Sequence, residues 1–207
     1  MSLAQRERQA MVKSMRSAGP AAPTLCEGWT VKDLAAHIVI RERRPDAAPG
    51  IMGGPLAAYT ERIRKGYTEK PFDELLEDIR TGPPVWWMGK GPDRLFNTSE
   101  MFVHHEDVRR GGNRWESRHL SDRDEASLWV IVRNVAPQTF RSAPVSVVLV
   151  TDMGKRLVAK KSGKRTVTIT GAPSEILLLA FGRKAVNVTA EGDEADVAAV
   201  LGCDRSV

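Results

Sequence analysis

Apolar residues recur at helical spacing through the first half of the chain and at strand spacing through the second. Residues 3–18 place Ala4, Met11, Met15 and Ala18 on one face, and Gly19-Pro20 closes the segment, so the pattern predicts an amphipathic helix. Residues 31–44 are apolar almost all round, with Val31, Leu34, Ala35, Ala36, Ile38, Val39 and Ile40, as expected of a helix central to a bundle. Thr30 is its expected N-cap, and Asp33 three residues on neutralises free N–H groups. Pro45 and the Pro49-Gly50 to Pro55 stretch predict a loop, followed by helices near 55–66 and 71–80. Trp86-Trp87-Met88 lies between Gly- and Pro-rich turns. Asn97-Thr-Ser-Glu100 has the form of a capping box, which predicts a helix from 98 to about 110, ended by Gly111-Gly112.

A helix over 122–136 follows, and then the period changes. Val145 to Val150, Arg156 to Ala159, Thr166 to Thr170 and Val186 to Thr189 read as strands, whereas Pro173 to Phe181 and Asp193 to Leu201 read as helices. The expected fold class is α+β: an N-terminal helical bundle over 1–118, then a small α/β domain over 119–207.

Composition narrows the function classes. Hydrophobic content of 42% and charged content of 28% describe an ordinary globular protein of 207 residues, long enough to bury a substantial core. Cys26 and Cys203 are far apart and lack CxxC spacing, so neither a disulfide framework nor a zinc ribbon is indicated, and a cytoplasmic location is expected. The opening residues have no signal-peptide apolar region, and no stretch approaches the roughly 20 apolar residues of a membrane-spanning helix. Net charge is +5. Its two basic clusters, Arg41 to Arg44 and Lys155 to Arg165, are interrupted or loop-borne; the second reads as a solvated hairpin around Ser162-Gly163. The expected partners are therefore small molecules, not nucleic acid or membrane, with a monomer or homodimer equally compatible.

The candidate chemistry lies in two short segments. Three of the four histidines fall in Thr30–His37 and in Glu100-Met-Phe-Val-His104-His105-Glu106-Asp107. At about 100° per residue, Glu100, His104 and Asp107 share one narrow arc of a helix, flanked by Val103 and Val108. An ionised carboxylate inside a core is costly unless paired, and a divalent cation is an effective partner. Glu100 and His104 are thus candidate ligands, His37 the third ligand from the neighbouring helix, and Asp107 the group that orients a ligand or water. Each has a plainer reading: Glu100 as the third residue of the capping box, His37 as a satisfied core histidine. His105, pointing about 100° away from His104, is expected to be solvated. Cys26 reads as a structural thiol near enough to approach the site, and Trp29, Trp86 and Trp87 as core or pocket lining.

The stretch Leu25-Cys-Glu-Gly-Trp-Thr-Val-Lys-Asp-Leu-Ala-Ala-His37 resembles the opening motif of the mycothiol-dependent maleylpyruvate isomerase family, whose bundle is DinB-like. Glu100-x-x-x-His104-x-x-Asp107 is similar to that family's second metal motif. Ser174-Glu-Ile-Leu-Leu-Leu-Ala-Phe-Gly-Arg183 resembles a phrase of its second domain, which has a sterol-carrier-protein-like fold, so the resemblance spans nearly the whole chain. It implies zinc, or another divalent metal, at His37, Glu100 and His104. It also implies mycothiol as the candidate thiol cofactor, and a role for Arg183 in binding substrate or thiol, although an arginine after Gly182 also suits capping of the preceding helix. The segment Arg41-Glu-Arg-Arg-Pro-Asp46 and a shortened middle region mark a sister subgroup, described only as metal-binding. The resemblance therefore implies a zinc-dependent enzyme that turns a low-molecular-weight thiol on an electrophilic substrate, by isomerisation or S-transfer. A zinc-dependent hydrolase and a non-catalytic metal or ligand carrier remain the alternatives.

Overall fold

The computed structural model describes residues 1–83 and 94–205. The chain divides into two units, Met1–Trp115 and Glu116–Val207. The sequence's Trp86-Trp87-Met88 lies outside the described residues.

The first unit is a helical bundle of α1 (Leu3–Ala18), α2 (Val31–Arg43), α3 (Ala57–Thr68), α4 (Phe72–Thr81) and α5 (Arg94–Arg109). Ser2 and Gln5 close a capping box on α1, and Thr30 and Asp33 close one on α2. Each satisfies backbone donors that the first turn leaves open. The stretch read as loop after α2 contains one 3-10 turn, Ala48–Met52. Met11, Met15, Leu34, Ile38, Leu75, Leu76, Ile79 and Met101 are fully buried, so α1, α2, α4 and α5 share one core while α3 packs on α2.

That core also encloses charge. Arg8 clasps Glu42 through both guanidinium ends and donates to Ile79 O at 2.8 Å. The Arg41–Arg44 cluster is spent internally as well: Arg41 on Glu100, Arg43 on Asp78 and Arg44 on Asp46.

The connector between α1 and α2 is anchored to the far end of α5. Leu25 N donates to Asp107 O at 3.0 Å. A Cβ at Gly111 would lie 2.1 Å from Pro23 O, so glycine alone permits this backbone-to-backbone approach.

The second unit sets α6 (Asp122–Thr139), α7 (Pro173–Ala180) and α8 (Glu194–Gly202) on a four-stranded sheet, β1 (Ser146–Thr151), β2 (Arg156–Lys160), β3 (Thr166–Gly171) and β4 (Val188–Glu191). Strand order is β2-β1-β3-β4, with β1 and β3 parallel and the outer pairings antiparallel. The β2–β3 segment is therefore not the hairpin expected around Ser162-Gly163. It crosses beneath β1, where Ser162 N donates to Ser146 Oγ at 2.8 Å; the true hairpin turns at Gly154, which has φ +78°. α6 runs through Pro137 to Thr139, one turn past its expected end. Proline there removes a single N–H from a final turn. The α+β class, a bundle followed by a small sheet with helices, is as the sequence predicts.

Candidate metal centre

His37 projects from the middle of α2 and Glu100, His104 and Asp107 from successive turns of α5. The His37 and His104 rings lie 5.2 Å apart, nearly perpendicular at 77°. One ligand atom each from His37, Glu100 and His104 falls within 4.8 Å of the other two. Glu100 Oε2 and His104 Nε2 are 3.4 Å apart. Around a tetrahedral zinc with bonds of about 2.1 Å, donor atoms stand roughly 3.4 Å from one another, so this pair already has the required separation. Asp107, fully buried, holds His104 from behind, Nδ1 to Oδ2, at 2.9 Å.

The sequence motif at Asn97 does not cap α5. The helix is already under way at Arg94, which places Asn97 inside it and leaves Glu100 as an inward-facing side chain rather than the third residue of a cap. Glu100 pairs with Arg41 Nε at 3.2 Å, a contact between α2 and α5 that the sequence reading missed. Three further features close the site. Trp29 packs on His37 with ring centroids 5.1 Å apart, Arg64 lies over the Trp29 ring at 4.8 Å, and Cys26 Sγ donates to Asp107 Oδ2 at 3.2 Å.

His105 is buried, not solvated. Its Nδ1 meets Glu7 at 2.7 Å and its Nε2 meets Ser14 Oγ at 3.0 Å, both from α1. Turning away from His104 brings it to another helix rather than to water. In the second unit, Arg183 Nη1 donates to Phe181 O at 2.7 Å, just beyond the end of α7.

The electrostatics suit one bound cation. Burial strips water from His37 and, with the charge on His104, lowers its pKa to about 3, so it stands as a neutral imidazole. For His104, burial opposes protonation, but the hydrogen bonds it makes with Asp107, Cys26 and Glu100 outweigh it and hold the pKa well above the usual histidine value. Burial likewise works against ionised Glu100, and the hydrogen bond and charge of His104, with Arg41, overcome it and lower its pKa to about 2. A carboxylate and an imidazolium thus share a proton where a divalent ion would have both lone pairs. Two imidazoles and one carboxylate fit zinc in an open site, with positions left for water or another ligand.

Residues 2–82 match the family model described as the mycothiol maleylpyruvate isomerase N-terminal domain. The match includes His37 and stops before α5. Two solved structures share the fold: the mycothiol-dependent maleylpyruvate isomerase, at TM-score 0.64 and 15% identity over 92% of this chain and 91% of that one, and a histidine-to-alanine mutant of it, at TM-score 0.64 and 14% identity over the same shares. No curated protein matches. The chain is thus a two-unit α+β protein of the fold seen in that isomerase. The family whose N-terminal domain matches residues 2–82 is the one that the motifs of this chain resemble. Among the described residues no helix is long and apolar enough to cross a membrane.

Proposed function

We propose that the first unit holds a divalent cation, zinc foremost, on His37, Glu100 and His104, and that the protein uses it to activate a low-molecular-weight thiol such as mycothiol for isomerisation or S-transfer on an electrophilic substrate. The convergence of three donor groups from two helices, with Asp107 behind the central histidine, carries this reading. The name of the similar isomerase supports the thiol and the reaction class.

The roles follow from the donor set. His37 is neutral and ready to ligate without losing a proton. Asp107, acting as acceptor, keeps the His104 proton on Nδ1 and leaves Nε2 toward Glu100 and His37. Arg41 orients the Glu100 carboxylate from α2 and puts a positive charge beside the site, which favours an anionic ligand. Trp29 and Arg64 shield the His37 side from water. A cation with this ligand set keeps a net charge of +1, enough to hold a thiol as thiolate or to polarise a carbonyl. Arg183 enters the proposal as a candidate substrate- or thiol-binding residue, on the family resemblance.

Elemental analysis of protein purified without added metal, followed by thiol titration of the zinc form, tests the reading. One equivalent of zinc and a thiol that binds only when zinc is present are expected. Zinc without thiol binding would leave a metal carrier, and no metal uptake would overturn the proposal.

A further inference from the structure

The connector ahead of α2 is built to place one atom. Thr24 Oγ1 donates to Trp29 O at 2.9 Å and accepts from Cys26 N at 3.1 Å, while Leu25 N reaches Asp107 O. These bonds set the Cys26 side chain against α5, where Sγ lies 3.2 Å from Asp107 Oδ2. The same oxygen meets His104 Nδ1 at 2.9 Å.

One carboxylate oxygen thus takes two donors from different elements: a ring on α5 and a thiol on the connector. An ionised carboxylate only accepts, so both partners donate. A donor arriving from a second element restricts rotation of the Asp107 carboxylate out of the plane of the ring. The fixed oxygen in turn sets which nitrogen of His104 carries the proton and where Nε2 points. Partners of this outlying kind are known to govern how well a ligating histidine presents its lone pair. Cys26 is only partly buried and packs against the bundle core, but its sulfur is aimed at a charged group, which a thiol serving only as apolar filler would not be.

We propose that Cys26 is a positioning residue of the metal centre, acting through Asp107 on the orientation and tautomer of His104. This inference rests on the metal-binding reading above and adds a residue to it.

The test compares the full-length protein with Cys26→Ala and Cys26→Ser, measuring zinc affinity by chelator competition, the ligand-field spectrum of the cobalt-loaded form, and melting of the metal-free form. Cys26→Ala is expected to weaken zinc binding about tenfold and to shift the cobalt bands. Cys26→Ser, which restores a donor, should recover both, and any fall in metal-free melting of the alanine variant should be too small to account for its loss of zinc affinity. In an Asp107→Asn background the alanine substitution should have a clearly smaller effect on affinity, because the main link it acts through is already altered and only the direct contact of Cys26 with His104 is left. If Cys26→Ala does not fold, Cys26→Val, close in volume and without a polar hydrogen, takes its place.

Undiminished affinity in the alanine variant overturns the inference. So do equal losses in both variants that track lower metal-free melting, which would mark a packing role. An intense near-ultraviolet sulfur-to-cobalt band in the wild type, lost in both variants, would make Cys26 a ligand instead and also overturn it. Absence of any divalent binding by the wild type would remove the parent reading and this one together, whereas normal wild-type binding with an indifferent Cys26 removes this one alone.

Discussion

His104 and His105 are consecutive on α5 yet serve different helices: His104 faces His37 of α2 across 5.2 Å between ring centroids, and His105 meets Glu7 of α1 at 2.7 Å. The 100° turn between neighbouring residues separates a candidate metal ligand from a structural clasp.

Substitutions at the three histidines should therefore part company. His37→Ala and His104→Ala should each weaken zinc binding by several orders of magnitude, since each removes one of the three proposed ligands. His105→Ala should leave zinc affinity nearly intact. It should instead cost about 2 kcal/mol of stability, because Ser14 and buried Glu7 each lose the hydrogen bond made to this ring. Chelator competition and urea unfolding on the same samples separate the two effects; a large affinity loss in His105→Ala would contradict the assignment of faces.

The metal-free protein should be most stable near pH 6.5 as far as this site governs it. His37 is ordinarily at 6.5 and is lowered to about 3 in the fold, so between those values the unfolded chain binds a proton that the folded chain refuses, and stability rises with pH. Glu100, lowered from 4.5 to about 2, adds to that rise at its acid end. His104 is raised, so above 6.5 the folded chain keeps a proton that the unfolded chain has released, and stability falls as pH climbs toward its folded value. Urea midpoints of chelator-treated protein across this range check the peak, which should vanish in a His37→Ala, His104→Ala double variant.

Zinc uptake should expel one proton near neutral pH, from His104, because His37 is already neutral and Glu100 already ionised. Calorimetric titrations in buffers of different ionisation heat give the count directly. Affinity should fall about tenfold for each pH unit below the His104 pKa; an affinity flat with pH would mean that this imidazole is neutral before loading.

Away from the site, Glu42→Ala should cost about 3 kcal/mol in urea unfolding, because it strands the buried guanidinium of Arg8 with only the Ile79 carbonyl. Removing both partners, as Arg8→Met with Glu42→Leu, should recover most of that loss.

Much of this arrangement was legible in the chain. The Thr30 and Asp33 cap, the apolar girth of α2 and the four- and seven-residue offsets of Glu100, His104 and Asp107 are local facts, and local periodicity carries them. The strands were equally visible, but their order was not: β1 and β3 pair across a connection that no alternation pattern encodes. What the sequence concealed was pairing between helices. Nothing local to His105 announces its burial, because its partners Glu7 and Ser14 sit on α1, about ninety residues earlier. Arg41 stood in the sequence only as part of a basic cluster interrupted by Glu42, and nothing local pointed to Glu100, which α5 brings beside it. The capping-box pattern at Asn97 misled for a related reason, since polar residues within a helix can mimic the signature of its start.

The bare α-carbon of Gly111 has a last consequence. By letting the chain just past α5 press directly on Pro23, it helps to seat the strap bearing Cys26 and Trp29 through main-chain contacts that do not depend on what lies among the imidazoles. A site whose surrounding chain is already seated in this way has little ordering left to undergo when a ligand arrives, which lowers the entropic cost of binding.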